Sequence, residues 1–521
     1  MNNRMPSLPE FYDTLLRRHE NDIAVAFRDE TLSYATIEER TARLASAFRS
    51  MGIKAGDCIA IMVENRPEYL ITEIGAIRAG ATVIPLNSKL DEDSIRSILD
   101  DADARTLVIG PSFFSTGRDL QRDASFDIDY VIGIEGETEF PIGFHSFDEL
   151  LSKADTDVPA MNPSPEDVAA IYYTGGTTGE PKGVMHTHRG LILNTYSHIA
   201  ELEICKQERA LLTTPLGHSA GFIARAILTQ GGTIVLEREF EPAQFLQTIA
   251  AERITWSFLV PTMVSELLDA PEFEEADTSS LQTLVYGASS IPSAVLKRGI
   301  ETLGQVFIQL YGLTEVPNLV SVLSKSDHDP DREDVLLSTG YPVQLADVSI
   351  VDREDRWDGD IGEIVVTSPY AMKGYRKRDA LVSEQPDRIH TGDLGRIGDD
   401  GRLYVLDRIQ DVIISDGQLV FSSEVENVVQ RHPDVQQVAI IGIPNDRDAL
   451  DVVTRDRLNV EQIVKAVVVV ETDVPLESIQ EFCRDEGLDD HQIPRTMDTV
   501  GKLPETPYGK IDKKSLRKPY W

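Results

Sequence analysis

Apolar positions in the first part of the chain follow two periods in alternation. YATIEERTARLASAFRSMG, from Tyr34, repeats its apolar side chains at a spacing near 3.6 and predicts an amphipathic helix. DCIAIMVEN and GATVIPLN are short β-rich runs on either side of a helical stretch from Glu68 to Ala79. This strand, helix, strand order predicts parallel sheets covered by helices, because parallel neighbours need a long crossover. The rhythm returns at TLVIG, GTIVLE, TWSFLVP, TLVYGA and VFIQLYG. Residues 346 to 415 read differently: DVSIVD, GEIVVTS and RLYVLD are divided by D-G and G-D turns, which predicts a small antiparallel region. After Arg408 the pattern turns to α+β, with DVIIS, a helix from about Ser422 to His432, QQVAIIGIP, KAVVVVE, a helix near Leu476 to Glu486 and a basic tail. The expected architecture is a large α/β body over residues 1–408, with mixed, mostly parallel sheets, followed by a smaller α+β domain over residues 409–521.

Composition narrows the class. A chain of 521 residues exceeds the ~150-residue scale of one domain, so at least two cores are expected. Its 50 basic and 87 acidic side chains give a net charge of −37, which opposes attraction to nucleic-acid phosphate or anionic lipid. With 41% hydrophobic and 26% charged residues, the chain is of ordinary globular composition. No run approaches the ~18 apolar residues of a membrane span, and MNNRMPSLPEFYD lacks the apolar core of a secretory signal, so a cytoplasmic protein is expected. Cys58, Cys205 and Cys483 lie far apart and form no C-x-x-C pair; they are expected to be small buried hydrophobes rather than disulfide or metal ligands. Only about 15 of the basic residues are lysine, and this shortage beside so many acids predicts a halophilic protein whose self-repulsion salt would screen.

The segment with most chemical content is Ile171 to Val184, IYYTGGTTGEPKGV. Glycines and threonines between an apolar strand and a polar loop supply free backbone N–H groups and hydroxyl donors, and Lys182 adds a cation; such a loop suits polyphosphate. It is not a Walker A loop, because Gly179 and Lys182 are separated by Glu180 and Pro181. Taken alone, a Gly/Thr cluster is equally an ordinary surface turn.

Its context decides. LSYATIEERTARLASAF with GIKAGDCIAIMVENRPEYL, the Thr/Gly loop, YGASS at 286–290, QLYGLTE at 309–315, HTGDLG at 390–395, RLYVLDRIQDVIISDGQLVFSSEVE at 402–426 and LPETPYGKIDKKSLR at 503–517 follow in order. Together they resemble the adenylate-forming superfamily of acyl-CoA synthetases, aryl-CoA ligases, peptide-synthetase adenylation domains and beetle luciferases, over nearly the whole chain. The resemblance implies that Thr174, Gly175, Gly176, Thr177, Thr178, Gly179 and Lys182 close over the β- and γ-phosphates of ATP. It makes Glu315 the Mg²⁺ carboxylate and Thr314 a hydroxyl donor to phosphate. Gln309, Tyr311 and Gly312 fall at the nucleotide, Tyr311 stacking on adenine with Gly287, Ala288 and Ser289 as the opposite wall. Asp393 would accept from both ribose hydroxyls and Arg408 donate to the same sugar. A lone Asp in a T-G-D turn is usually a turn former, and its place in the series reverses that reading.

Lys510 would be the catalytic cation of the first step, offsetting charge as a carboxylate attacks the α-phosphorus. In the second step a thiol would displace AMP after the C-terminal domain has swung about Gln410, where relatives carry Asp or Lys. Gly417 matches the glycine beside the pantetheine tunnel and is also simply the turn glycine of S-D-G. His218 in TPLGHSAGF would orient the carboxylate, although an isolated histidine is more often a structural residue. Phe222, Val260, Tyr286 and Val316 fall in stretches that line the acid pocket of relatives. Two departures stand out: the stretch after Pro444, NDRDALDVVTRDRLNVEQIV, is longer than in relatives, and LDDHQIP lacks their Tyr-Lys pair. The expectation is an acid:CoA ligase for fatty or aryl acids that uses ATP, Mg²⁺ and coenzyme A. Its alternatives are transfer to a carrier-protein thiol or another nucleophile, and a non-catalytic nucleotide sensor.

Overall fold

The computed structural model describes residues 5–123, 127–136, 139–156, 161–174, 181–352, 357, 359–377, 388–445, 460–472, 474–506 and 510–521. Two large mixed sheets form the body. The first has nine strands, with a parallel centre of Ile23–Phe27, Thr233–Leu236, Arg209–Leu212, Trp256–Leu259, Thr283–Gly287 and Phe307–Leu313. The second has eight: Cys58–Met62 lies parallel to both Thr82–Pro85 and Ala104–Ile109, while Val168–Thr174 and Lys182–Thr187 form an antiparallel pair toward one edge. Central strands such as Cys58–Met62 are buried at every position, which is why they read as continuous apolar runs. The predicted helix of the N-terminal part spans Tyr34–Ser50 and is capped by Ser33, whose side chain accepts from the Thr36 N–H at 3.1 Å.

Asp347–Val351, Gly362–Thr367, Arg388–Ile397 and Leu403–Arg408 form the expected antiparallel sheet. Beyond it, Val435–Pro444, Gln462–Val470 and Thr496–Thr499 make a separate three-stranded sheet against helices Ser422–Val429 and Leu476–Asp485. The largest core runs from Leu8 to Leu403 and packs both body sheets around shared helices. The core of the last part begins at Ile413 and includes Val425, Ile440, Val468 and Cys483. Cys58 and Cys483 are buried as expected, but Cys205 is exposed, because it follows the end of helix His188–Glu201 in a surface turn.

Candidate active site

Strands Phe307–Leu313, Arg388–Ile397 and Leu403–Arg408 bring Tyr311, Asp393 and Arg408 together. Asp393 and Arg408 are register partners across the last two, so the pleat sets their side chains together. Arg408 Nε lies 3.0 Å from Asp393 Oδ1, and the Tyr311 hydroxyl donates to Asp393 Oδ2 at 2.7 Å. The Asp393 N–H donates to Thr391 Oγ1 at 3.0 Å, closing the T-G-D turn around the carboxylate. Asp393 raises the pKa of Arg408 above its ordinary value, and burial raises that of Tyr311, so both groups keep their protons here.

Gly312 is required by close approach. A Cβ there would lie 2.2 Å from the carbonyl carbon of Asn318, where the antiparallel pair of strands Phe307–Leu313 and Val316–Leu323 shifts register. Asn318 itself has φ 63°, with its amide donating to Ser219 O at 3.2 Å. Gly287 is equally confined, its hypothetical Cβ 2.6 Å from Leu310 O, and Ala288 follows at φ 72°. The turn therefore brings backbone, rather than side chains, to the crevice wall, with Ser289 exposed beside it.

Glu315 accepts a hydrogen bond from the Tyr375 hydroxyl at 2.7 Å through Oε1. The preceding carbonyl, Thr314 O, accepts from His186 Nε2 at 2.9 Å, which places the ring proton of this buried histidine on Nε2. Burial pushes the His186 pKa down to about 4, so the ring is neutral. Of the phosphate-loop residues, Thr174 and Lys182 pair across the strands that bracket the loop, and the Lys182 ammonium lies 5.7 Å from the Tyr375 ring centroid. Gly175, Gly176, Thr177, Thr178 and Gly179 lie outside the described residues.

At Lys510, Thr506 N–H donates to Lys510 O at 2.7 Å, and Glu505 bridges Ile511. The residue as a whole is exposed, while its ammonium is partly stripped of water. Loss of water there, together with the neighbouring Arg408 cation, lowers its pKa to about 8, against the opposing pull of Asp393 and Glu315. Lys510 also depresses His218, which burial already pushes down to about 4. His218 is thus a neutral imidazole at physiological pH, able to donate a hydrogen bond to a carboxylate but not to form an ion pair with it. It immediately precedes helix Ser219–Thr229 and lines a small cavity with Asn87, Tyr172, Tyr173 and Gly217.

The pocket residues divide. Phe222 and Val316 share the large core, Phe222 packing on Tyr172 with ring centroids 4.8 Å apart, and Val260 stands half-buried before helix Pro261–Asp269. Tyr286 does not join them. Successive strand residues face opposite ways, so Val285 points to the core of Phe222 while Tyr286 is fully buried on the other face of the sheet, in a second body core with Phe245, Leu284 and Phe307. Its hydroxyl lies 3.1 Å from His328 Nε2 and 3.4 Å from Gln309 Oε1. Tyr286 is therefore core rather than pocket, and Gln309 is buried next to it. Gly417, at φ 71° after Asp416 at φ 53°, fills the two-residue hairpin turn between Ile413–Ser415 and Gln418–Val420, with nothing within 4 Å of a hypothetical Cβ. Exposed Gln410 lies between Arg408 and Asp411, and its carbonyl is 3.4 Å from Arg517 Nη1. Sequence reasoning missed Tyr375 and His186, because neither stands in a recognisable chemical pattern.

Among the described residues, no group of three or more His, Cys, Asp or Glu side chains is arranged to hold a metal. A lone carboxylate fits Mg²⁺, which takes one or two protein carboxylates beside phosphate oxygens and water, better than a cation needing an all-protein cage. Nor is any helix among them long and apolar enough to cross a membrane.

Comparison with known proteins adds two family matches: a profile described as AMP-binding enzyme covers residues 12–376, and one described as AMP-binding enzyme C-terminal domain covers residues 424–510. The medium/long-chain-fatty-acid–CoA ligase FadD8 of Mycobacterium tuberculosis (strain ATCC 25618 / H37Rv) is 33% identical over 97% of this chain and 89% of its own. A feruloyl-CoA synthase of Amycolatopsis sp is 32% identical over 95% of each. Among solved structures, the amide bond synthetase McbA from Marinactinospora thermotolerans superposes with a TM-score of 0.85 at 28% identity, covering 98% of this chain and 100% of that one.

Proposed function

Since this chain belongs to the AMP-binding enzyme family, we propose that it is an acid:CoA ligase that activates a fatty or aryl acid with ATP and passes the acyl group to coenzyme A. In the first step an oxygen of the substrate carboxylate attacks the α-phosphorus of ATP, the bond to the β-phosphate bridge breaks, and pyrophosphate leaves. The carrying observation is electrostatic: the Lys510 ammonium feels the charges of Arg408, Asp393 and Glu315 and itself lowers the pKa of His218, so the tail acts on the motifs of the body. A cation so placed offsets the charge that builds as two anions meet. Asp393 is oriented by Tyr311 and Arg408 to accept from ribose, and Tyr311 and the Gly287–Ser289 turn border the same crevice. Glu315 and the phosphates would hold Mg²⁺, which neutralises charge on the departing oxygens. Neutral His218 would donate to the acid, above Phe222 and Val316.

In the second step the coenzyme A sulfur attacks the acyl carbon, and the acyl–phosphate bond breaks to release AMP. The body would comprise residues 1–408 and the mobile domain residues 409–521, turning at Gln410; the separate cores ending at Leu403 and beginning at Ile413 support that division. The turn would withdraw Lys510 and bring Gly417 forward. A cytoplasmic, salt-adapted protein fits the net charge of −37, and activity that rises toward molar KCl would support that reading.

The test is carboxylate-dependent exchange between ATP and pyrophosphate across short, long-chain and aryl acids, followed by CoA-dependent AMP release. No exchange with any acid would defeat the proposal. The likeness to an amide bond synthetase supports a second reading, transfer to an amine. Exchange without CoA-dependent AMP release would favour it.

A further inference from the structure

Tyr375 occupies the two-residue strand Gly374–Tyr375, paired with Val184 in the strand that leaves the phosphate loop. Its hydroxyl meets Glu315 Oε1 at 2.7 Å and its ring lies under the Lys182 ammonium. Backbone bonds clamp the segment from both sides: Met372 N–H donates to Glu315 O at 2.7 Å, Lys373 N–H to Met185 O at 2.8 Å and Arg376 N–H to Gly183 O at 2.8 Å. Arg376 Nε then donates to Asp101 O at 2.8 Å, and Asp101 accepts from the Tyr173 hydroxyl at 2.6 Å, anchoring the clamp to helix Glu92–Ala102.

A free glutamate carboxylate turns broadly about its last torsion. A phenol that donates to one oxygen fixes that torsion and leaves the other oxygen to be presented. An ordinary phenol keeps its proton at neutral pH and so serves as a donor. We infer that Tyr375 is a positioning residue that presents Glu315 Oε2 to a nucleotide-bound divalent cation and, through its ring, ties that carboxylate to the Lys182 cation. This rests on the role given to Glu315 above.

The test uses the full chain, with Mn²⁺ as probe and α,β-methylene-ATP as nucleotide. Bound Mn²⁺ is read by electron paramagnetic resonance, metal-free nucleotide binding by equilibrium dialysis, and folding by thermal melting. Tyr375→Phe keeps the ring and removes the hydroxyl: Mn²⁺ affinity in the ternary complex should fall about 10–100-fold, with metal-free nucleotide binding and melting unchanged. Tyr375→Leu removes the ring as well and should in addition weaken metal-free nucleotide binding about 2–10-fold. Wild-type Mn²⁺ affinity in a folded Tyr375→Phe protein overturns the carboxylate role. Metal-free binding by Tyr375→Leu equal to that of Tyr375→Phe overturns the link to Lys182. A wild-type chain that takes up no nucleotide defeats the functional reading of the cleft itself.

Discussion

Lys510 should impose a descending alkaline limb on the first half-reaction. The ammonium is held near pKa 8 because cleft burial and Arg408 outweigh Asp393 and Glu315. With that value the protonated fraction is about 0.9 at pH 7 and about 0.1 at pH 9, so an exchange rate that needs the cation should fall roughly tenfold between them. The limb belongs to kcat/KM, which reports free enzyme; bound triphosphate adds negative charge, raises the lysine pKa and should displace the kcat limb upward. Initial rates of ATP–pyrophosphate exchange from about pH 6.5 to 9.5, at fixed Mg²⁺ and with a good acid, provide the assay. Lys510→Ala should lower the rate about 10²–10³-fold and abolish the limb. Lys510→Arg stays charged throughout the range, so its rate should be reduced by the altered geometry but flat. The reasoning is refuted if wild type is flat to the top of the range, or if Lys510→Ala shows the same descent.

Three further outcomes follow from the same contacts. Lys510→Ala should spare thioester formation from supplied acyl adenylate, and equal loss of both half-reactions, measured separately, would contradict the domain turn. Arg517 Nη1 lies 2.5 Å from Asp411 Oδ1, with the two side chains 5% and 13% exposed. Arg517→Ala strands that carboxylate and should cost about 3–5 kcal/mol in reversible denaturation; a loss below about 1 kcal/mol would refute it. His186, His188, His198, His218 and His328 are all depressed to about 4, chiefly by burial. As pH falls from about 6.5 toward 4 the unfolded chain gains protons that the native chain refuses, so each can remove up to about 1.4 kcal/mol per pH unit. Urea midpoints should therefore fall between pH 7 and 5, and unchanged midpoints would refute the assignment of these rings as neutral.

Where one short stretch carries a whole pattern, the pattern could be recognised before the fold was known. Asp393 and Arg408 stand in separate motifs, and the register of the antiparallel sheet, which the D-G turns predicted only as a region, makes partners of them. The body sheets were legible because strands such as Cys58–Met62 are buried on both faces. The failures share one cause. YGASS names neighbours in sequence, but a strand sends Tyr286 and the preceding Val285 to opposite cores, so membership of the motif did not tell whether the Tyr286 side chain reaches the acid pocket. Cys205 was misjudged because burial of a thiol depends on a turn's place at the surface. Tyr375 is the harder case. Its link to Glu315 exists only because a strand of two residues joins the edge beyond Lys182–Thr187, and nothing local in AMKGYRK encodes that pairing. Backbone amides that bind phosphate can all come from one loop and so appear as a motif. The orientation of a single carboxylate depends on whatever the fold brings against it, and that partner can come from anywhere in the chain. Residues that position Glu315 or Lys510 should therefore be sought along sheet edges and tail contacts, where Tyr375 and Arg517 lie, rather than among further glycines and threonines.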